Sequence, residues 1–278
     1  LVDCSIFEQY YSENEKNMNS NIKKKVNSHI KDLKINGITY IHNAFTAKEC
    51  KFYINRFENL LKKFEKKYKR LGDKCQVIQN YFLYDKLLVN LIYHKKIDQI
   101  LKKAIDENYV LINSSLTNRV LRKSESKKKL HLGDLGTSWH HDSRIIGQKR
   151  LDKGFSFIAV MMFNDFVKNN GSTLYIPKSH LVRDKKPIRH YNYKCEQIIA
   201  KAGTIAIIDT GLWHKASDNL SKKNRWSLFC YYGPWFMKPY YNFPEMLGNN
   251  FKRKINYKLQ KLLHYHSTPP KNELDRVL

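Results

Sequence analysis

Two stretches of the chain carry residue types that bind metals. Residues 139–142 read Trp-His-His-Asp. In an extended strand alternate side chains point the same way, so His140 and Asp142 share one face while Trp139 and His141 share the other. One imidazole and one carboxylate then converge, although a His-x-Asp triplet also arises often by chance. His214 follows the apolar run Thr204 to Asp209 and precedes polar residues through Asn219. A lone histidine at a strand end is usually structural or solvent-facing. Added to the triplet, it completes two imidazoles and one carboxylate, the facial set that suits Fe(II) and leaves positions open on it. Both rings must be neutral to ligate, so metal binding should weaken in acid.

Arg225 lies 225 − 214 = 11 residues beyond His214. If the polar segment Asp218 to Lys223 is a hairpin turn centred between Asn219 and Leu220, residues 214 and 225 fall directly opposite one another, with Cβ atoms about 5 Å apart. Arg225 would then enter the same interior as the metal, where its fixed fork suits a bidentate grip on a carboxylate. Its neighbours Trp226, Leu228 and Phe229 make the strand otherwise apolar.

These residues need a scaffold that holds strand ends together. Ile38 to Ile41 reads as a short strand. A helix follows, opened by the Thr46/Glu49 capping box and striped by Tyr53, Phe57, Leu60, Leu61, Phe64, Tyr68 and Leu71 until Gly72. A second helical stripe runs from about Lys86 to Ile105. From Tyr109 the pattern becomes strand-like, with segments at 109–120, 155–164, 172–177, 195–200, 203–209, 212–217 and 226–232 separated by Gly, Asn, Lys and Pro. A helix is expected around 251–264. Short strands behind two helices predict a mainly β protein of the jelly-roll, cupin-like type, with the N-terminal helices packed on one sheet. Residues 1–35, polar and rich in Lys and Asn, read as a loosely attached leader, and 36–278 as one domain, an ordinary size for a single core.

The 278 residues carry 51 Lys and Arg against 25 Asp and Glu, a formal charge of +26. Such an excess can mark a polyanionic partner. Here the lysines spread along the whole chain beside abundant Asn, Ile and Tyr, the signature of AT-rich codon usage, and no basic stripe interleaved with aromatics points to nucleic acid. The longest apolar run, Phe155 to Phe163, is half a membrane span. Five scattered cysteines without a Cys-x-x-Cys pair fit a reducing compartment. With no apolar export signal at the start, the expected location is the cytoplasm.

From Asn36 to Met246 the chain resembles the phytanoyl-CoA dioxygenase family of Fe(II)/2-oxoglutarate oxygenases. The resemblance rests on Asn36-Gly37-Ile38-Thr39-Tyr40-Ile41 with Phe45 downstream, the Trp-His-x-Asp at 139–142, the run Asn170 to His180, Gly203, His214 and Arg225. It implies a double-stranded β-helix, iron held by His140, Asp142 and His214, 2-oxoglutarate clasped by Arg225, and O2 as the second co-substrate. Two positions depart from the family pattern. Lys178 replaces the glycine of Pro-Gly-Ser-His. Ala216 stands where many members place a hydroxyl two residues after the distal histidine, so Ser217 is the expected second co-substrate contact. Asp142 is retained, which favours hydroxylation over halogenation.

The resemblance thus implies a dioxygenase that hydroxylates an unactivated C–H bond of a small or carrier-bound metabolite. Arg144 and Arg150, in the loop after the metal strand, suggest an anionic substrate. A cupin-like isomerase or sensor that ignores 2-oxoglutarate would be indicated by Arg225 pointing away from the metal. A nucleic-acid-modifying dioxygenase rests on charge alone.

Overall fold

The computed structural model describes residues 4–64, 75–120, 139–143, 155–181, 194–221 and 223–267, with backbone only for 4–19 and 75. Helix α1 (Cys4–Asn36) covers nearly all of the polar leader. Its last turns are docked, with Leu33 buried and Ile30 beside it in the helix-side core. His29 Nδ1 also lies 2.9 Å from Thr39 Oγ1. The helix ends at Gly37, whose φ of +76° is a left-handed cap and whose N–H donates to the Leu33 carbonyl at 3.0 Å.

Helix α2 (Ala47–Lys62) begins at the capping box, with Glu49 N–H donating to Thr46 Oγ1 and Thr46 N–H to Glu49 Oε2. Phe57 and Leu60 are buried on its inner face. Tyr68 and Leu71, expected to extend the stripe, lie outside the described residues. The stripe from Lys86 to Ile105 is not one helix. Lys86–Ile92 is a 3-10 turn, the chain extends at Tyr93, and α3 (Lys95–Ala104) starts afresh. His94 marks the break by accepting the Lys96 N–H as an N-cap, while Asp85 caps the first piece in the same way through the Leu87 N–H. The expected helix at 251–264 is likewise two pieces, α4 (Phe243–Lys252) and α5 (Tyr257–Leu262).

Nine strands form two antiparallel sheets among the described residues. They are β1 (Ile38–Ile41), β2 (Cys75–Gln79), β3 (Val110–Arg119), β4 (Phe157–Met162), β5 (Thr173–Tyr175), β6 (Glu196–Gln197), β7 (Ile205–Asp209), β8 (His214–Ala216) and β9 (Arg225–Gly233). The larger sheet runs β1-β7-β4-β9-β3-β2 and the smaller β6-β5-β8. Strand β2 was not legible in the sequence, where Val77 and Ile78 sit in a polar run; it is an edge strand paired with β3 alone.

The central strands are buried on both faces and alternate between two cores. Trp226, Leu228, Cys230 and Tyr232 of β9 join Phe157, Ala159 and Met161 of β4 and the helices in the outer core. Tyr231 joins Ile158, Val160 and Met162 in the inner core, where Tyr175 and Ile198 arrive from the smaller sheet. The two sheets therefore face each other across the inner core, in the jelly-roll manner and without closing into a barrel. Each residue's parity decides whether it meets the helices or the space between the sheets.

Candidate metal centre

The segment after β7 crosses from the large sheet to the small one, and the metal-type residues collect where it lands. His140 pairs with His214 at the head of β8: each donates its backbone N–H to the other's carbonyl, at 3.0 and 2.8 Å. Their rings lie side by side, with centroids 4.4 Å apart. Asp142 is held through its backbone, because the Thr210 carbonyl accepts from both Asp142 N–H (2.8 Å) and Ser143 N–H (3.1 Å). One ligand-type atom each from His140, Asp142 and His214 lies within 4.8 Å of the others, and among the described residues this is the one such His/Cys/Asp/Glu group.

The donor chemistry fits a divalent ion. His214 Nδ1 is 2.8 Å from the Leu212 carbonyl, which can only accept, so Nδ1 carries a proton. Its Nε2 is left facing Asp142 Oδ2 at 3.3 Å. Ligand distances of about 2.0–2.2 Å put donors on one side of an ion about 3 Å apart, close to the 3.3 Å already between His214 Nε2 and Asp142 Oδ2, and the three donors of the triangle lie within 4.8 Å of one another. Burial disfavours charge on His214, but the hydrogen bond and charge of Asp142, with the Leu212 carbonyl, outweigh it and raise the pKa. A metal ion would take the place of that proton.

His141 turns away from the cluster, as strand parity requires. Its ring meets Trp213 edge-on at 4.8 Å and its Nδ1 lies 2.8 Å from Ser143 Oγ. Beneath Asp142 sits a buried hydroxyl group of three that sequence reasoning did not single out. Ser156 Oγ is 2.8 Å from Thr210 Oγ1 and 3.2 Å from the Tyr231 hydroxyl. Burial pushes the Tyr231 hydroxyl up to about 12, so it stays a donor, and it approaches the Asp142 carbonyl at 3.5 Å.

Arg225 is buried, 2 % exposed, and faces the space between the sheets, with its Cζ 4.0 Å from the centroid of the Phe166 ring. The hairpin reading that placed it opposite His214 is wrong in register. His214 pairs with Tyr175 and His140, whereas Arg225 pairs with Arg119. Strand β8 belongs to the smaller sheet and β9 to the larger, so the two side chains approach from opposite walls. Ser217, expected as the second co-substrate contact, already has hydrogen-bond partners. Its hydroxyl donates to the Ser172 carbonyl at 2.7 Å and accepts from Gln197 Nε2 at 3.3 Å, which uses it within the small sheet. Arg144 and Arg150 lie outside the described residues. Lys178, the departure from the family's glycine, takes φ +63°, a left-handed position that explains the family's preference.

Solved structures similar to the chain share this architecture. The epimerase SnoN, crystallised with Fe3+, alpha ketoglutarate and nogalamycin RO, superposes with a TM-score of 0.61 at 14% identity, over 78% of this chain and 87% of that one. HygX from Streptomyces hygroscopicus, with nickel, 2-oxoglutarate and hygromycin B bound, gives 0.56 at 13% identity, over 80% and 94%. Among sequence relatives, the dioxygenase af480 of Aspergillus fumigatus is 27% identical over 160 residues, 55% of this chain and 50% of its own length. The chain thus spans about half the length of that relative. The sequence model of the phytanoyl-CoA dioxygenase family matches residues 33–227, most of the chain and all of the site, and the protein belongs to that family.

Proposed function

We propose that the chain is an Fe(II)- and 2-oxoglutarate-dependent oxygenase that hydroxylates a C–H bond of a small or carrier-bound, anionic metabolite. The observation that carries this reading is the donor triangle of His140, Asp142 and His214. Two rings and one carboxylate on one side of an ion leave the other side for co-substrates. Iron with 2-oxoglutarate and O2 supplies oxidative decarboxylation of the keto acid coupled to C–H oxidation. The chain's own work is ligation, orientation and exclusion of water. His140 and His214 present their rings from adjacent strands, Asp142 closes the face, and Arg225 offers a buried cation to the distal carboxylate. Its inward direction favours a 2-oxoglutarate enzyme over a cupin-like isomerase or sensor without that co-substrate.

The names of similar proteins support the reaction class and leave the outcome open, because they include an epimerase and a carbocyclase, SnoK, besides a dioxygenase. Retention of Asp142 favours hydroxylation over halogenation. No helix among the described residues is long and apolar enough to cross a membrane, and we place the enzyme in the cytoplasm. Purified protein should take up one Fe(II) per chain and decarboxylate 2-oxoglutarate faster when its substrate is present. Lack of iron-dependent 2-oxoglutarate turnover across a broad panel of anionic metabolites, with iron bound, would remove the proposal.

A further inference from the structure

His140 and Asp142 are two residues apart, yet the main chain ties them to different walls. His140 exchanges backbone hydrogen bonds with His214, which heads a strand of the smaller sheet. Asp142 is tied to the end of the larger sheet, where the Thr210 carbonyl accepts from Asp142 N–H at 2.8 Å and from Ser143 N–H at 3.1 Å. Thr210 stands one residue past β7 and Ser156 one residue before β4. They extend by one pair the β4–β7 ladder in which Phe157 opposes Asp209, and Thr210 N–H donates to the Ser156 carbonyl at 3.2 Å. Tyr231 arrives from β9, on the other side of β4.

The three side chains meet in a row. Ser156 Oγ lies 2.8 Å from Thr210 Oγ1 and 3.2 Å from the Tyr231 hydroxyl, which in turn approaches the Asp142 carbonyl at 3.5 Å. All three residues are buried. Each hydroxyl has a single proton to donate. Donation from Thr210 to Ser156, from Ser156 to Tyr231 and from Tyr231 toward the Asp142 carbonyl uses all three, so the row ends on the main chain of the carboxylate residue. A buried hydroxyl that loses its partner is costly, and the members therefore hold one another in place. An aspartate has only a methylene between its main chain and its carboxylate, so fixing the Asp142 N–H leaves the carboxylate a small arc to sweep.

We propose that Thr210, locked by Ser156 and Tyr231, is the positioning residue of the carboxylate ligand. The hydroxyl row fixes the Thr210 carbonyl, that carbonyl fixes the Asp142 main chain, and Asp142 is thereby held ready for the ion. This rests on the metal reading of His140, Asp142 and His214 given above. The row acts through Asp142, while His140 is set by its own bridge.

The test is calorimetric titration of the metal-free protein with Ni(II), beside equilibrium unfolding of the same preparation. Thr210→Val, which keeps the shape and removes the hydroxyl, and Tyr231→Phe should each weaken Ni(II) binding by about tenfold or more, as for other partners that orient a ligand. Thr210→Ser keeps the hydroxyl and should bind Ni(II) as the parent does, even where loss of the methyl group lowers its unfolding midpoint. In an Asp142→Ala background the Thr210→Val loss should vanish, because residues acting through one ligand are not additive. Where Asp142→Ala binds too weakly to titrate, the comparison of Val with Ser decides. Parent-like affinity in Thr210→Val or in Tyr231→Phe overturns the proposal, as does a loss in Thr210→Ser equal to that in Thr210→Val. A Thr210→Val loss that persists without the Asp142 carboxylate assigns the row to the framework and overturns it too. In each of these cases a loss in His140→Ala or His214→Ala keeps the metal reading. If Thr210→Val does not fold, Tyr231→Phe takes its place. A parent that binds no Ni(II) overturns both proposals.

Discussion

His140 and His214 exchange both backbone hydrogen bonds across a single bridge, so each ring's position is set by main chain and not by the other ring. Removing one side chain should therefore leave the other where it is. His140→Ala and His214→Ala are expected to keep the fold, with unfolding midpoints close to the parent's, yet to lose metal affinity by at least about 100-fold, beyond what loss of an outer-shell partner costs. His141→Ala removes a contact with Trp213 and should bind metal as the parent does. Metal stoichiometry alongside thermal unfolding checks all three, and a matching loss in His141→Ala would mean that the wrong ring has been assigned.

Lys178 is an exposed residue held at φ +63°. The left-handed region costs a side-chain-bearing residue roughly 1–2 kcal/mol, and glycine loses roughly 0.5–1 kcal/mol of chain entropy on folding. Lys178→Gly should thus stabilise the protein by about 0.5–1 kcal/mol, read from denaturant midpoints at unchanged slope. A destabilised variant would show that the Lys178 side chain contributes more than its backbone costs.

How much was legible follows from what is local. His140 and Asp142 share a face because period two is a property of any extended chain, and the Thr46/Glu49 cap is complete within four residues. Arg225 was read as buried because it interrupts an apolar strand, and it is. Its register was misread because Asp218 to Lys223 announces a turn but not which sheet receives the chain after it. The stripe from Lys86 to Ile105 fits both a 3-10 turn and an α-helix, since the two periods differ little over two turns. Arg119 carried no signal of its own. Only the pairing of β3 with β9, strands more than a hundred residues apart, puts it beside Arg225.

His264 is buried, with Nε2 2.9 Å from the Leu111 carbonyl and Nδ1 3.0 Å from Ser267 Oγ. Burial lowers its pKa below the ordinary 6.5, only partly opposed by the Leu111 carbonyl. The folded protein thus resists a proton that the unfolded chain accepts. The sign is that stability is full above the unfolded value near 6.5 and falls as pH drops below it, until the folded group also titrates. His94, lowered mainly by burial as well, adds in the same direction. Denaturant midpoints at pH 8 and 5.5 should differ less in His264→Gln than in the parent, and an unchanged difference would exclude His264 as a source of acid sensitivity.

Gly37 couples the fold to the metal centre. It ends α1 at φ +76°, and an added Cβ would stand 2.6 Å from His180 Nδ1 and 2.7 Å from Leu212 Cδ1. Its carbonyl accepts from Asp209 N–H at 2.8 Å, at the start of the crossing that carries Leu212 and His214. Leu212 in turn fixes the His214 ring through Nδ1. Gly37→Ala therefore meets both the left-handed penalty and an overpacked contact, together about 2–4 kcal/mol. Relief of the clash moves Leu212, and with it the carbonyl that sets the His214 tautomer. The variant should lose stability and, in the fraction that folds, metal affinity by about tenfold or more, as when a residue that orients a ligand is disturbed. Equilibrium unfolding and metal titration of the same preparation separate the two effects. Parent-like metal affinity in a destabilised Gly37→Ala would show that the helix end and the metal centre are mechanically independent.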